Sequence, residues 1–288
     1  NSLTVSGTLT QSGAITIDVA DTKTLTYTGT AISLGANTLT LSGGGNLVSG
    51  GLTLNDASSK LLLNSITVDS VSTSEDSLGL DVDADSTVTS LSVANITPVA
   101  IAGGSRLSGA ITVTAGSLKL TETGTLASSI SMSSGTLDAD NSLTVSGTLT
   151  QSGNITIDVA DTKTLTYSGT AISLGANTLT LSGGGTFSNT NALVLNDENS
   201  LLSLAGILTI GDVKGTAASS TDKGIQVSTS ATLGTFDLTA ESNLDIAADK
   251  TLAGQLNLQS NGELNISGLG RYTGDIALAG GKFSATDS

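Results

Sequence analysis

Short runs of alternating apolar and polar residues recur along the whole chain. Examples are Ile15–Ile17, Leu39–Leu41 and Ile111–Val113, and residues such as Gly, Asn, Asp and Ser separate the runs. Alternation with a period of two predicts a strand with one buried face and one solvated face. The runs are shorter than the usual strands of a β-sandwich, and no segment has a clear 3.6-residue helical period. The pattern therefore predicts an all-β chain.

The runs return at a nearly regular interval. Leu3–Val5 returns as Leu25–Tyr27 about 22 residues later. Similar correspondences link Leu39 and Leu41 to Leu61 and Leu63, Phe236 and Leu238 to Leu256 and Leu258 and then to Ile276 and Leu278, and Leu244 and Ile246 to Leu264 and Ile266. A period of about 19 to 24 residues is typical of sheet-forming solenoids. The chain is therefore predicted to be a parallel β-helix (β-solenoid) with about 13 to 14 coils, three faces per coil and a length of about 65 Å.

A winding chain can pair each strand with its counterpart one coil earlier, so parallel pairing needs only tight turns between strands. Inward Leu, Ile and Val then form apolar columns, while outward Thr and Ser lie on a wet pleated surface that favours β-branched residues. Leu256 is predicted to point inward and Asn257 outward. We therefore expect Leu256→Asp to disrupt folding and Asn257→Asp to be nearly silent.

A longer repeat is superimposed on the short one. Residues 1–45 recur as 141–185 with two differences, Ala14 to Asn154 and Thr28 to Ser168. This duplication divides the chain into repeat units 1–140 and 141–288. Neither end carries a polar or helical cap, so we expect a tandem array that continues through both ends, covalently or by end-to-end stacking of copies.

Composition narrows the functional classes. Of the 288 residues, 38% are hydrophobic and 12% charged, and the net charge is −15. An acidic chain of this kind is not a nucleic-acid partner, and it contains no apolar run long enough to insert into a membrane. The absence of His and Cys removes the common nucleophile and base pairs. A non-enzymatic protein is expected.

Three segments carry a resemblance to a known group: TLTLSGGG (38–45), AGSLKLTETGTL (115–126) and SNGELNISGLG (260–270). They resemble parallel β-helix passengers of autotransporters and filamentous-haemagglutinin-like or giant repetitive surface adhesins of bacteria. The resemblance implies right-handed coils and an extracellular, surface-attached rod used for adhesion, spacing or matrix formation. It implies no particular functional residue, because these proteins share a scaffold and no common site.

Two functional classes remain open. The first is a structural fibre, stalk or sheath, which the near-identical duplication favours. The second is an adhesin that binds a cell-surface or matrix ligand through one solenoid face, for which the divergent stretches 64–106 and 211–230 are candidate regions. A polysaccharide-active β-helix enzyme is a remote third class, because two Arg and six aromatic residues provide little for sugar binding and catalysis.

Asp81, Asp83 and Asp85 form the one candidate metal motif, since D-x-D-x-D opens an EF-hand loop and suggests calcium. Ser86 stands where that loop needs Gly, and Ser92 stands where it needs the bidentate Glu. The alternative is a strand whose outer face is acidic. No other cofactor is expected.

Asp18 and Asp21, repeated as Asp158 and Asp161, belong to the sequence DVADTK and predict a solvated turn or, as the alternative, a cation bridge between coils.

Threonines at alternate positions, as in residues 24–28, suggest the flat faces of ice-binding solenoids. A step of about 22 residues from Thr24 and Thr26 leads to Asn46 and Val48, so no threonine ladder is predicted.

Overall fold

The structure, a computed structural model, describes residues 1–206 and 209–285, and these residues contain strands, turns and bends but no helix. They form two compact units, Asn1–Thr148 and Leu149–Ser288. Each unit is an all-β parallel solenoid, and the two have about 14 coils between them. The predicted fold class and coil number are confirmed, while handedness and the number of faces stay predictions.

The first unit contains 18 strands. They are β1 (Leu3–Val5), β2 (Ile15–Asp18), β3 (Thr24–Tyr27), β4 (Ile32–Ser33), β5 (Thr38–Ser42), β6 (Asn46–Val48), β7 (Leu52–Leu54), β8 (Lys60–Asn64), β9 (Thr67–Thr73), β10 (Gly79–Val82), β11 (Ser86–Val93), β12 (Ile96–Ile101), β13 (Arg106–Val113), β14 (Ser117–Leu120), β15 (Thr125–Leu126), β16 (Ser129–Met132), β17 (Thr136–Ala139) and β18 (Leu143–Val145). One sheet holds β2, β5, β8, β10, β12, β14 and β17, and the other strands form a second sheet.

The second unit repeats this arrangement with 18 strands among its described residues. They are β19 (Leu149–Gln151), β20 (Ile155–Val159), β21 (Thr164–Tyr167), β22 (Ile172–Ser173), β23 (Thr178–Gly183), β24 (Thr186–Asn189), β25 (Leu193–Leu195), β26 (Leu201–Leu204), β27 (Thr209–Ile210), β28 (Val213–Gly215), β29 (Gly224–Val227), β30 (Ala231–Leu238), β31 (Glu241–Ile246), β32 (Thr251–Leu258), β33 (Glu263–Ser267), β34 (Arg271–Thr273), β35 (Ile276–Leu278) and β36 (Lys282–Ala285). One sheet holds β20, β23, β26, β29, β31, β33 and β36.

The inward side chains form apolar columns one residue wide. In the second unit, Ile157 pairs with Leu181, Leu181 with Leu204, Leu204 with Val227, and Val227 with Ile246. All five side chains are buried. Burial of one such side chain stabilises a fold by about 1.5 to 3 kcal/mol, so the columns hold successive coils together.

The predicted strand register is confirmed near the beginning of the chain. Leu3 pairs with Leu25 and Val5 with Tyr27, as the spacing of the repeats indicated. Thr24 pairs with Asn46, so a threonine is followed by another residue type in the next coil. Regular alternation and turns of equal length determine this register.

The sequence repeat predicted that Leu244 pairs with Leu264, and this register is wrong. Leu244 pairs with Ile266, and Leu264 lies opposite Ser242, which is almost fully buried. A shift of two residues leaves every side chain on the same face, so alternation alone does not separate the two registers. The tight turn closed by Lys250 N–H donating to Ala247 O (3.1 Å) lies within this coil.

Buried corners of the coils are held by serine hydroxyls. Ser59 Oγ accepts hydrogen bonds from the backbone N–H of Asn55 and Asp56 and donates to Gly35 O, one coil earlier, at 2.6 Å. The same arrangement returns at Ser200, whose Oγ donates to Gly175 O at 2.7 Å. Because buried polar groups must find partners, these serines allow sharp corners without orphaned backbone groups.

Candidate functional site

A groove with polar walls lies on the second unit and has a volume of about 450 Å³. Its floor is the outward surface of β29, β31 and β33, and one wall is the loop that precedes β29. The lining residues are Ser219, Thr221, Asp222, Lys223, Gln226, Glu241, Asn243, Asp245, Asn265 and Ser267. The groove is therefore built from side chains that alternate with the buried columns.

Register places the floor residues next to one another. Gln226 pairs with Asp245, and Asp245 pairs with Ser267 in the following coil. Asn243 pairs with Asn265 in the same way. Parallel strands one coil apart thus present two rows of polar side chains at the strand spacing of about 4.8 Å.

Hydrogen bonds fix several of these side chains. Asn243 Nδ2 donates to Ser220 O at 2.9 Å, which attaches the loop to the floor. Asn265 Nδ2 donates to Glu241 Oε1 at 2.7 Å. A floor whose amides are already oriented binds a ligand with a smaller loss of side-chain entropy than a mobile surface.

The wall of the groove exists because one loop is long. Between β28 and β29 the chain has residues 216–223, whereas the corresponding loop of the first unit, between β9 and β10, has only residues 74–78. Both loops lead into a glycine with positive φ, Gly224 at 99° and Gly79 at 79°. The additional residues in the second unit include the tight turn in which Lys223 N–H donates to Ser220 O.

The groove has the chemistry of a binding surface for polar ligands. Its lining contains three carboxylates, on Asp222, Glu241 and Asp245, and one ammonium group, on Lys223, while no aromatic ring lines it. Carboxylate and amide oxygens accept hydrogen bonds, and the excess of acidic groups favours cationic groups. The arrangement suits a ligand with several O–H or N–H donors and offers little to an apolar one.

Part of this groove lies in a segment that the sequence had indicated. The divergent stretch 211–230, predicted as a candidate region for adhesion, contains the wall and Gln226. The residues from β31 and β33 were missed, because they lie outside that stretch and have the ordinary alternation of a strand. The strand register, which brings them beside Gln226, was the missing information.

The predicted calcium residues lie at the end of β10 and in the bend that follows it. Asp81 is in the strand, and its Oδ2 lies 2.5 Å from Lys60 Nζ in the preceding coil. Asp83 and Asp85 are exposed in the bend before β11. Over residues 1–206 and 209–285, no three or more His, Cys, Asp or Glu side chains form a group that could hold a metal ion. Calcium binding here stays a hypothesis, and a calcium-dependent rise in melting temperature is the measurement that tests it.

The four aspartates of the repeated DVADTK sequence lie in two different settings. Asp18 is the last residue of β2 and Asp158 the next-to-last residue of β20. Each accepts a hydrogen bond from a serine hydroxyl of the next coil, Ser42 at 2.7 Å and Ser182. Asp21 and Asp161 are exposed in the tight turns that follow. The strand-end aspartates thus connect coils through serine hydroxyls, a contact that the turn interpretation did not include.

In the part of the chain that the structure describes, no helix is long and apolar enough to cross a membrane.

Comparison with known proteins provides no family for this chain. No family model, no curated protein and no solved structure matches the sequence or the fold.

Proposed function

We propose that this chain is a structural segment of a secreted bacterial surface fibre, stalk or sheath, without catalytic activity. The main support is that the two near-identical segments, 1–45 and 141–185, form coils that share internal hydrogen bonds. Asn37 Nδ2 donates to Leu34 O and Asn177 Nδ2 donates to Leu174 O, both at 2.9 Å. In a solenoid, each added repeat packs on its neighbour through the same kind of interface. Duplication therefore increases the length of the molecule without requiring a new type of contact.

The surface of the coils supports the same proposal. Outward positions hold mostly Thr, Ser and Asn, and the net charge of −15 keeps a repetitive molecule soluble and opposes sideways aggregation. The chain has no His and no Cys. Stiffness from the apolar columns and solubility from the acidic surface are the two properties that an extracellular spacer needs.

The test is imaging of the native material on the surface of the source cells. We expect labelled rods or fibres longer than about 65 Å, with diffraction from a strand spacing of about 4.8 Å. Antibody raised against the 288-residue chain supplies the label, and cells lacking the gene are the control. Labelling confined to the cell interior, or to isolated small particles, would contradict the proposal.

The polar groove of the second unit favours a second function, adhesion to a ligand rich in hydroxyl or amino groups. Its wall and Gln226 come from the divergent stretch 211–230, and a specific binding site requires such a local difference. The Asp245 carboxylate is exposed and is flanked by Gln226 and Ser267 on neighbouring strands, so it is available to a ligand.

An oligosaccharide array that includes amino sugars tests the adhesive function. We expect Asp245→Ala to weaken any bound glycan at least about tenfold, since a hydrogen bond to a charged group contributes about 1.5 to 3 kcal/mol. Thr180→Ala is the matched control, because Thr180 is an outward residue of β23 in the same unit and does not line the groove. Equal binding by both variants would show that the groove is not the binding site.

A further inference from the structure

Three positions in the sequence have the pattern Asn-x-Ser/Thr, in which x is not proline. They are Asn95-Ile96-Thr97, Asn154-Ile155-Thr156 and Asn265-Ile266-Ser267. This pattern is the acceptor signal for attachment of a sugar to the asparagine side chain, and it belongs to exposed segments of secreted proteins. The transferring enzyme must contact both the asparagine amide and the hydroxyl residue, so accessibility separates the three positions.

Two of the three positions withhold a group that the enzyme needs. Thr97 is fully buried, and its hydroxyl donates to Thr73 Oγ1 at 3.2 Å. The amide of Asn265 is engaged at both ends, because its Nδ2 donates to Glu241 Oε1 at 2.7 Å and its Oδ1 accepts a hydrogen bond from Ser284 Oγ. The first signal therefore lacks an accessible hydroxyl, and the third lacks a free amide nitrogen.

Asn154 and Thr156 both lie on the outer surface. Asn154 is exposed immediately before β20. Thr156 points outward from β20, because Ile155 and Ile157 on either side of it are buried. Side chains two residues apart on an extended segment project on the same side. Asn154 Oδ1 accepts a hydrogen bond from Thr178 N–H at 2.8 Å, while its Nδ2 makes no hydrogen bond within the part of the chain that the structure describes.

The position of Asn154 is also one of the two at which the near-identical segments 1–45 and 141–185 differ. The first segment has Ala14 there, followed by the same Ile and Thr. A single substitution thus distinguishes a segment that has the signal from one that lacks it, in sequences that are otherwise almost the same. Both Ala14 and Asn154 are exposed, so the first unit supplies a matched position for an experiment.

We propose that Asn154 is a glycosylation site, to which a glycosyltransferase adds a sugar from a donor that carries a diphosphate on its anomeric carbon. The bond from Nδ2 to that carbon forms as the bond from the carbon to the diphosphate oxygen breaks. The diphosphate leaves with the electron pair, and the amide proton passes to a base of the transferase. The inference goes beyond the proposed function and rests on the extracellular location within it, since this modification marks exposed segments of secreted proteins.

Mass spectrometry of the chain isolated from source cells is the test. Trypsin cleavage after Lys119 and Lys163 releases peptide 120–163, which contains Asn154. We expect this peptide to carry the additional mass of one or more sugar residues, localised to Asn154 by electron-transfer fragmentation. An unmodified Asn154, or equal modification of Asn95 and Asn265, would overturn the proposal.

Variants expressed in the source cells separate recognition from structure. Asn154→Ala and Thr156→Ala should both abolish the modification, whereas Thr156→Ser should keep it, because serine also supplies a hydroxyl. Asn154→Asp keeps an oxygen that accepts from Thr178 N–H but has no Nδ2, so it should carry no sugar while its far-UV spectrum stays unchanged. Ala14→Asn should create a second modified position. A sugar that persists on Thr156→Ala would contradict recognition of the signal.

The carrier of the donor sugar is a nucleotide or a membrane lipid, and cell fractions distinguish the two. The unmodified chain is incubated either with the soluble fraction of the source cells and a radiolabelled nucleotide sugar, or with their washed membranes. Label transferred to Asn154 by the soluble fraction identifies a nucleotide donor, and a sugar added by the membranes alone identifies a lipid donor. If neither fraction modifies Asn154, the proposal is rejected.

The outcome for Asn154 is separable from the outcome for the fibre. Sugar on Asn154 in source cells that show no fibres would leave the glycosylation site standing and reject the fibre function. Fibres whose chains carry no sugar on Asn154 would reject only the glycosylation site.

Discussion

Leu256→Asp is expected to unfold the second unit under conditions in which the natural chain is stable. The side chain is fully buried and lies between Phe236 in the preceding coil and Ile276 in the next. Truncating a buried leucine to alanine costs about 2 to 5 kcal/mol, and a buried carboxylate without a partner adds a desolvation cost. Far-UV circular dichroism and urea unfolding measure the loss directly.

The neighbouring residue provides the control. Asn257 points outward, and its Nδ2 donates to Asp237 Oδ1 at 2.7 Å. We expect Asn257→Ser to reduce stability by no more than about 1 kcal/mol. Comparable losses for Leu256→Asp and Asn257→Ser would show that the assignment of inward and outward faces is wrong.

The structure changes the expectation for Asn257→Asp. From the sequence this substitution is predicted to be nearly silent, but it would place a carboxylate directly opposite Asp237 and remove a hydrogen bond. Like charges on opposite positions of neighbouring strands are destabilising. Asn257→Asp is therefore expected to be less stable than Asn257→Ser at neutral pH.

Gly109→Ala is expected to destabilise the first unit by about 3 kcal/mol or more. A Cβ at this position would lie 1.7 Å from Val88 O in the preceding coil, and the backbone φ of 121° is unfavourable for any residue with a side chain. The contacting atom belongs to the backbone, so it cannot move aside without breaking the pairing of β11 with β13. Urea unfolding of the first unit measures the effect.

Gly104→Ala separates the two causes of that loss. Gly104 also has a positive φ, 88°, but a Cβ there has no atom within 4 Å. Its substitution carries only the backbone cost, about 1 to 2 kcal/mol. If Gly104→Ala and Gly109→Ala reduce stability equally, close approach between coils contributes nothing and backbone conformation accounts for the whole effect.

The fold was predictable because the same local sequence pattern recurs in every coil of a solenoid. Alternation in a run such as Leu39–Leu41 determines which side chains are buried, and the return of that pattern at Leu61–Leu63 identifies the strand that pairs with it. No contact between distant parts of the sequence has to be guessed, since each coil packs on its neighbours. Composition added that the columns would be aliphatic, because the whole chain has only six aromatic residues.

The contacts across the outer surface were not predictable in the same way. The sequence did not indicate that Asp81, a candidate calcium ligand, lies beside Lys60 of the preceding coil. It also did not indicate that Asn257 lies beside Asp237. Alternation identifies the outward face but leaves registers that differ by two residues equivalent. Turn length removes that ambiguity, and turn length depends on backbone geometry that residue type indicates only in part.

By itself, the sequence determined that this chain is a parallel β-solenoid, which residues fill its columns and that its long repeat is duplicated. The tertiary structure decided the partner of Leu264, the groove behind loop 216–223 and the contact between Asp81 and Lys60. The physical reason is that burial follows a period that can be counted along the chain, whereas the neighbour of an outward side chain depends on the length of every turn within its coil.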